Sequence, residues 1–168
     1  VCGDKVIDMW NTYSDCAGLT GSPVCGDNVI SMGGTYRDCT RLTGNPACRP
    51  NVTSMNQTSP GPYSPPCNPV CGDKVTSMSY MFYSSNKLTS LDLSGFDTSK
   101  VTTMQYMFDG CTSLTSLDLS GFDTDKAANM ANMFSNCTSL TSLNLSSFDT
   151  NKVDNMSNVF HNCSSLTS

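Results

Sequence analysis

The sequence predicts a repeat solenoid, a β-solenoid of seven stacked rungs with short helical turns. Three observations predict it: a Val-x-x-Met motif returns at a fixed interval, apolar residues keep one phase in every interval, and no single unit can bury its own apolar face. The methionines are Met9, Met32, Met55 and Met78, each 23 residues after the last, and then Met104, Met130 and Met156 at steps of 26. A fixed period in the range of about 20–50 residues marks stacked supersecondary units.

Two unit types follow. Residues 1–69 read as three 23-residue rungs and residues 70–168 as four 26-residue rungs, the last incomplete, all in one continuous solenoid. Short units open Val1-Cys2-Gly3-Asp4-Lys5-Val6 and Val24-Cys25-Gly26-Asp27-Asn28-Val29; Ala47-Cys48-Arg49-Pro50-Asn51-Val52 is their looser third copy. The fourth unit starts like these, at Val70-Cys71-Gly72-Asp73-Lys74-Val75, and finishes like the long ones. The third is a variant rung, because Thr58–Pro69 is proline-rich and proline neither donates to a ladder nor leaves φ free.

Each element of a long unit has its own signal. Leu117-Asp118-Leu119 alternates as a half-buried strand, and Val101-Thr102-Thr103-Met104 reads as a second short extended segment. Met107-Phe108-Asp109-Gly110-Cys111 spaces its apolar residues as one turn of α- or 3₁₀-helix would. Gly121-Phe122-Asp123-Thr124 supplies a corner. Stacking then buries the same large side chains in every rung, at about 1.5–3 kcal/mol each, against the ordering entropy of the unit.

Composition narrows the function. Charged residues are 14% of the chain and the formal net charge is −5, which disfavours nucleic acid and an anionic membrane surface. No apolar run is long enough to span a bilayer. Ten cysteines at regular spacing, together with glycosylation sequons, point to an oxidising, extracellular or cell-surface setting. A chain that opens at Val1 reads as a processed or excised segment.

The candidate disulfide cysteines are Cys2, Cys16, Cys25, Cys39, Cys48, Cys67 and Cys71. Pairing within units (Cys2–Cys16, Cys25–Cys39, Cys48–Cys67) and between them (Cys16–Cys25, Cys39–Cys48, Cys67–Cys71) are both open. Cys111, Cys137 and Cys163, one per long unit, read as small buried hydrophobes. Six Asn-x-Ser/Thr sequons stand at Asn51, Asn56, Asn136, Asn144, Asn155 and Asn162, as candidate glycosylation sites.

Stacking also makes polar columns. Asp97, Asp123 and Asp149 fall about 4.8 Å apart, with Lys100, Lys126 and Lys152 as the expected compensation. Asp92, Asp118 and Asn144 form a second column, read as a solvated strand face before a calcium site. Thr89, Thr115, Thr141 and Thr167 make a hydroxyl ladder. His161, the one histidine, stands at a repeat position that varies between units and reads as surface. Trp10 aligns with Gly33 and Asn56 and reads as a surface aromatic. With no phosphate loop, nucleophile elbow or metalloprotease motif, no catalytic, cofactor or metal site is expected.

Leu114, Leu117 and Leu119 carry the Leu-x-x-Leu-x-Leu signature of leucine-rich repeats. The fuller Phe-Asp-Thr-x-Lys-Val-x-x-Met-x-x-Met-Phe-x-x-Cys-x-Ser-Leu-Thr-Ser-Leu-x-Leu-Ser resembles the BspA-type leucine-rich repeat surface proteins over residues 70–168, and more loosely over 1–69. That resemblance implies a right-handed solenoid, surface exposure, and adhesion or matrix binding, with no catalytic residues to carry over. The expected function is an extracellular structural repeat protein, a subunit of a surface fibre stacked head to tail on copies of itself or on further repeats of a longer chain. The alternative is a surface adhesin or phage tail-fibre-like module that binds receptors, glycans or matrix proteins.

Overall fold

The computed structural model describes residues 5–21, 26–39, 41, 50–57 and 72–168. The proline-rich variant at 58–69 lies outside the described residues, as do Cys2, Cys25, Cys48, Cys67 and Cys71.

The Val-x-x-Met segments lie one above another. Parallel bridges run Asp8↔Ser31, Ser31↔Ser54, Ser54↔Ser77, Ser77↔Thr103, Thr103↔Asn129 and Asn129↔Asn155. Each joins the residue before a repeat methionine to its counterpart one unit on, so the register holds through the change from 23- to 26-residue steps. Val-to-Cys takes ten residues in both unit types, as in Val6–Cys16 and Val101–Cys111. The three additional residues fall on the return leg, away from this ladder.

The segment expected to be a helical turn follows a different rule. Four alternate N–H groups, those of Met104, Tyr106, Phe108 and Gly110, donate to Asn129, Ala131, Met133 and Ser135 of the next rung, each at 2.9 Å. The intervening N–H groups of Met107, Asp109 and Cys111 instead close turns onto Met104, Tyr106 and Phe108. The cause is two left-handed residues per rung. One column holds Asn11, Gly34, Gln57, Tyr80, Tyr106, Asn132 and Asn158, and the other Asp15, Asp38, Ser84, Gly110, Asn136 and Asn162, all with φ between 54° and 78°. A positive φ swings every second amide along the stack, which a helix never does. Asn, Asp and Gly tolerate this conformation, whereas other residues carry a penalty of roughly 1–2 kcal/mol.

The leucine segments also differ from expectation. Leu117 and Leu119 point inward and Asp118 outward, as the alternation implies. Among the described residues, however, every bridge lies on the methionine face. The leucine side contributes single amide contacts, such as Thr141 N–H to the Thr115 carbonyl at 3.2 Å and Thr167 N–H to Thr141 at 3.1 Å.

The core is a set of columns. Met78, Met104 and Met130 are almost fully buried in file, with Met81, Met107 and Met133 alongside. Phe82, Phe108, Phe134 and Phe160 stack with ring centroids 5.4, 5.6 and 5.7 Å apart and planes within 4°. Tyr13 and Tyr36 hold the same position in the short units, 5.8 Å apart. Phe96, Phe122 and Phe148 form a second file at 6.3 and 6.5 Å. Such pairs add about 0.5–1.5 kcal/mol beyond the area they bury.

Two buried threonines pin the corner between these files. Thr124 Oγ1 donates to the Asp149 carbonyl at 2.9 Å and accepts the Asp149 N–H at 2.7 Å. Thr98 does the same to Asp123 at 2.9 and 2.8 Å. In the short units, Gly33 and Gly34 make room for side chains of the first rung. A Cβ on Gly33 would collide with the Trp10 ring, and one on Gly34 with the Asn11 side chain.

Candidate functional site

With the core so uniform, chemistry that varies is confined to the outward columns. The aspartates there are held by the chain itself. Asp97 Oδ1 accepts the N–H of Ser99 at 3.0 Å and its hydroxyl at 2.6 Å. Asp123 and Asp149 accept from Asp125 and Asn151 at 3.0 and 2.8 Å. In the second column, Asp92, Asp118 and Asn144 accept from Ser94, Ser120 and Ser146 at 2.9, 2.9 and 3.0 Å.

Hydrogen bonds from the Ser94 hydroxyl and amide hold the Asp92 carboxyl below its ordinary range, and Ser99 acts likewise on Asp97. At Asp118 the Ser120 amide leads and its hydroxyl adds. Lys100, expected to compensate Asp97, adds a smaller lowering there than Ser99 does, and it also sits 3.8 Å from Asp73. An amide two residues along the chain is a closer donor than a lysine whose long side chain reaches across a rung. Asp92 and Asp118 flank a cleft of about 290 Å³ with Ser94, Ser120 and Phe122. Among the described residues, no three His, Cys, Asp or Glu side chains converge as a metal would need.

The cysteine column is chemically quiet. Cys111, Cys137 and Cys163 donate Sγ–H to the carbonyls of Phe82, Phe108 and Phe134 at 3.2, 3.2 and 3.0 Å. Burial pushes the Cys137 thiol up to about 12 and the Cys111 thiol well above its usual value, so neither offers a thiolate near neutrality. Cys39 Sγ reaches the Tyr13 carbonyl at 2.8 Å, and Cys16 is exposed.

The sequons divide by exposure. Asn144, Asn155 and Asn162 are exposed; Asn51, Asn56 and Asn136 are half-buried. Asn136 Nδ2 donates to Asp109 Oδ1 at 2.9 Å and to Ser135 Oγ at 3.1 Å, while its Oδ1 accepts from Asn162 Nδ2 at 3.0 Å. A glycan on Asn136 would cost that ladder a donor. The threonine ladder stays exposed, with its hydroxyls spent on the neighbouring backbone. Thr141 and Thr167 donate their hydroxyls to the carbonyls of Thr115 and Thr141, both at 3.2 Å.

Two outward features were missed by the sequence reading. Across the first four units, Lys5, Ile7, Asn28, Ile30, Asn51, Thr53 and Lys74 line a shallow groove of about 460 Å³. On the long units, Tyr80 and Tyr106 stack at 4.6 Å with planes 8° apart, and Tyr83 meets Tyr80 edge-on at 5.6 Å and 70°. Tyr83 is 45% exposed. The signal for this cluster was available. Two tyrosines occupy a column where other rungs carry Asn, Gly or Gln, but its left-handed backbone cannot be read from apolar periodicity.

In-register columns, with a largely apolar interior and a changing exterior, define the class of the molecule: a repeat protein. More particularly, the chain belongs to the family described as "Mycoplasma protein of unknown function, DUF285", which matches residues 71–168. No curated protein and no solved structure matches it. Among the described residues, no helix is long and apolar enough to cross a membrane.

Proposed function

We propose that the chain is a non-catalytic, extracellular structural repeat protein of BspA type, folded as a leucine-rich-repeat-like right-handed solenoid. It serves as a subunit of a surface fibre in which such rungs stack head to tail. The observation that carries this reading is the unbroken run of in-register bridges from Asp8 to Asn155. A stack of this kind adds rungs by repeating one interface, and its stability grows nearly additively. A heterologous contact of this kind that repeats without closing makes a fibre.

Negative-stain electron microscopy with sedimentation velocity across a concentration series tests this. Rod-like particles that lengthen with concentration are expected, and particles of one fixed length at every concentration would refute self-stacking. A second reading, a surface adhesin or a phage tail-fibre-like receptor-binding module, is favoured by the exposed tyrosine cluster.

A further inference from the structure

We infer that Tyr80, Tyr83 and Tyr106 form a binding platform for a neutral carbohydrate chain. The inference deepens the adhesive reading and rests on it; the fibre reading stands or falls separately.

Backbone conformation is the first ground. Tyr80 and Tyr106 have φ of 59° and 57°, in a column where the neighbouring rungs hold Gln57, Asn132 and Asn158 at 54° to 57°. A bulky residue with positive φ is uncommon, and such outliers concentrate at functional sites. Here two occur in adjacent rungs, and their rings stack on each other.

The surroundings choose the ligand. Tyrosine offers an apolar ring for the C–H faces of a pyranose and a hydroxyl for its oxygens. Amides stand beside the rings. Gln105, next to Tyr106, gives its Oε1 to Asn129 Nδ2 at 3.0 Å, which leaves its Nε2 as a donor. The Gln105 carbonyl receives the Tyr80 N–H at 3.0 Å, so this amide is built into the same two rungs. Burial, with Tyr106, Tyr83 and Asp109 close by, pushes the Tyr80 hydroxyl up, so it stays a neutral donor. An apolar platform with a few placed polar groups suits a neutral sugar.

The test is isothermal titration calorimetry of the full chain with cellohexaose, laminarihexaose and mannohexaose, and with a heparin hexasaccharide as the anionic comparison. At least one neutral hexasaccharide should bind with Kd below about 1 mM, and heparin should not. Tyr83→Ala and Tyr106→Asn should each weaken binding at least tenfold. Tyr106→Asn installs the residue that the next two rungs use, so its Tm should stay level or rise. Failure of all three neutral sugars, heparin binding that depends on these tyrosines, or undiminished binding by both variants would each overturn the inference. So would a binding loss in Tyr106→Asn that tracks a fallen Tm. If matrix proteins still bind the wild type while the sugars fail, the adhesive reading survives and this inference does not.

Discussion

Thr124 shows how a single hydroxyl holds two rungs together. Its Oγ1 both donates to and accepts from the backbone of Asp149. Thr124→Val keeps the shape and leaves a buried N–H and carbonyl without their partner, at a cost of about 1–3 kcal/mol, measurable by urea denaturation. The exposed aspartates set a different dependence. Their carboxyls are held low in the folded chain, so the stability they lend is complete above the unfolded value, about 3.9 for Asp, and is lost as pH falls through the lowered folded values. Tm should therefore be flat from neutral pH down to about 4 and then decline. An Asp92→Asn/Asp118→Asn variant should decline less, because Asn144 already accepts the equivalent N–H as an amide. Periodicity revealed these columns. It did not reveal their partners, which depend on the chain turning back on itself within two residues.

At the scale of the element, the decisive unit is the run from Met104 to Cys111. Its apolar positions were legible in the sequence, and all of Met104, Met107, Phe108 and Cys111 are buried. Its backbone was not legible, because helical spacing and this chain of turns place the same residues inward. The left-handed residues Tyr106 and Gly110 separate the two cases, and tyrosine carries no propensity signal for that conformation. Phe108 lies midway along the ring file, between Phe82 and Phe134. Phe108→Ala should cost about 3–5 kcal/mol. Hydrogen exchange should show protection lost first at the amides of Phe82 and Phe108, whose bonds cross from rung to rung beside the missing ring.

Across the whole molecule, neighbouring rungs make the contacts and the order of rungs matters little. Deleting residues 101–126 removes one long unit and brings Lys100 directly before Ala127. The shortened chain should still fold cooperatively, with a lower Tm and the same circular-dichroism shape, since one interface of several is lost. Aggregation, or a disordered spectrum, would show that the units are not interchangeable. The common phase is written in the sequence, and the bridge from Ser77 to Thr103 keeps the register where the step changes.

That junction carries a genetic consequence. Units of unequal length share one ladder, so misaligned recombination between gene copies leaves a chain that still threads correctly. Lengthening, shortening or shuffling the units is then within reach of a single crossover.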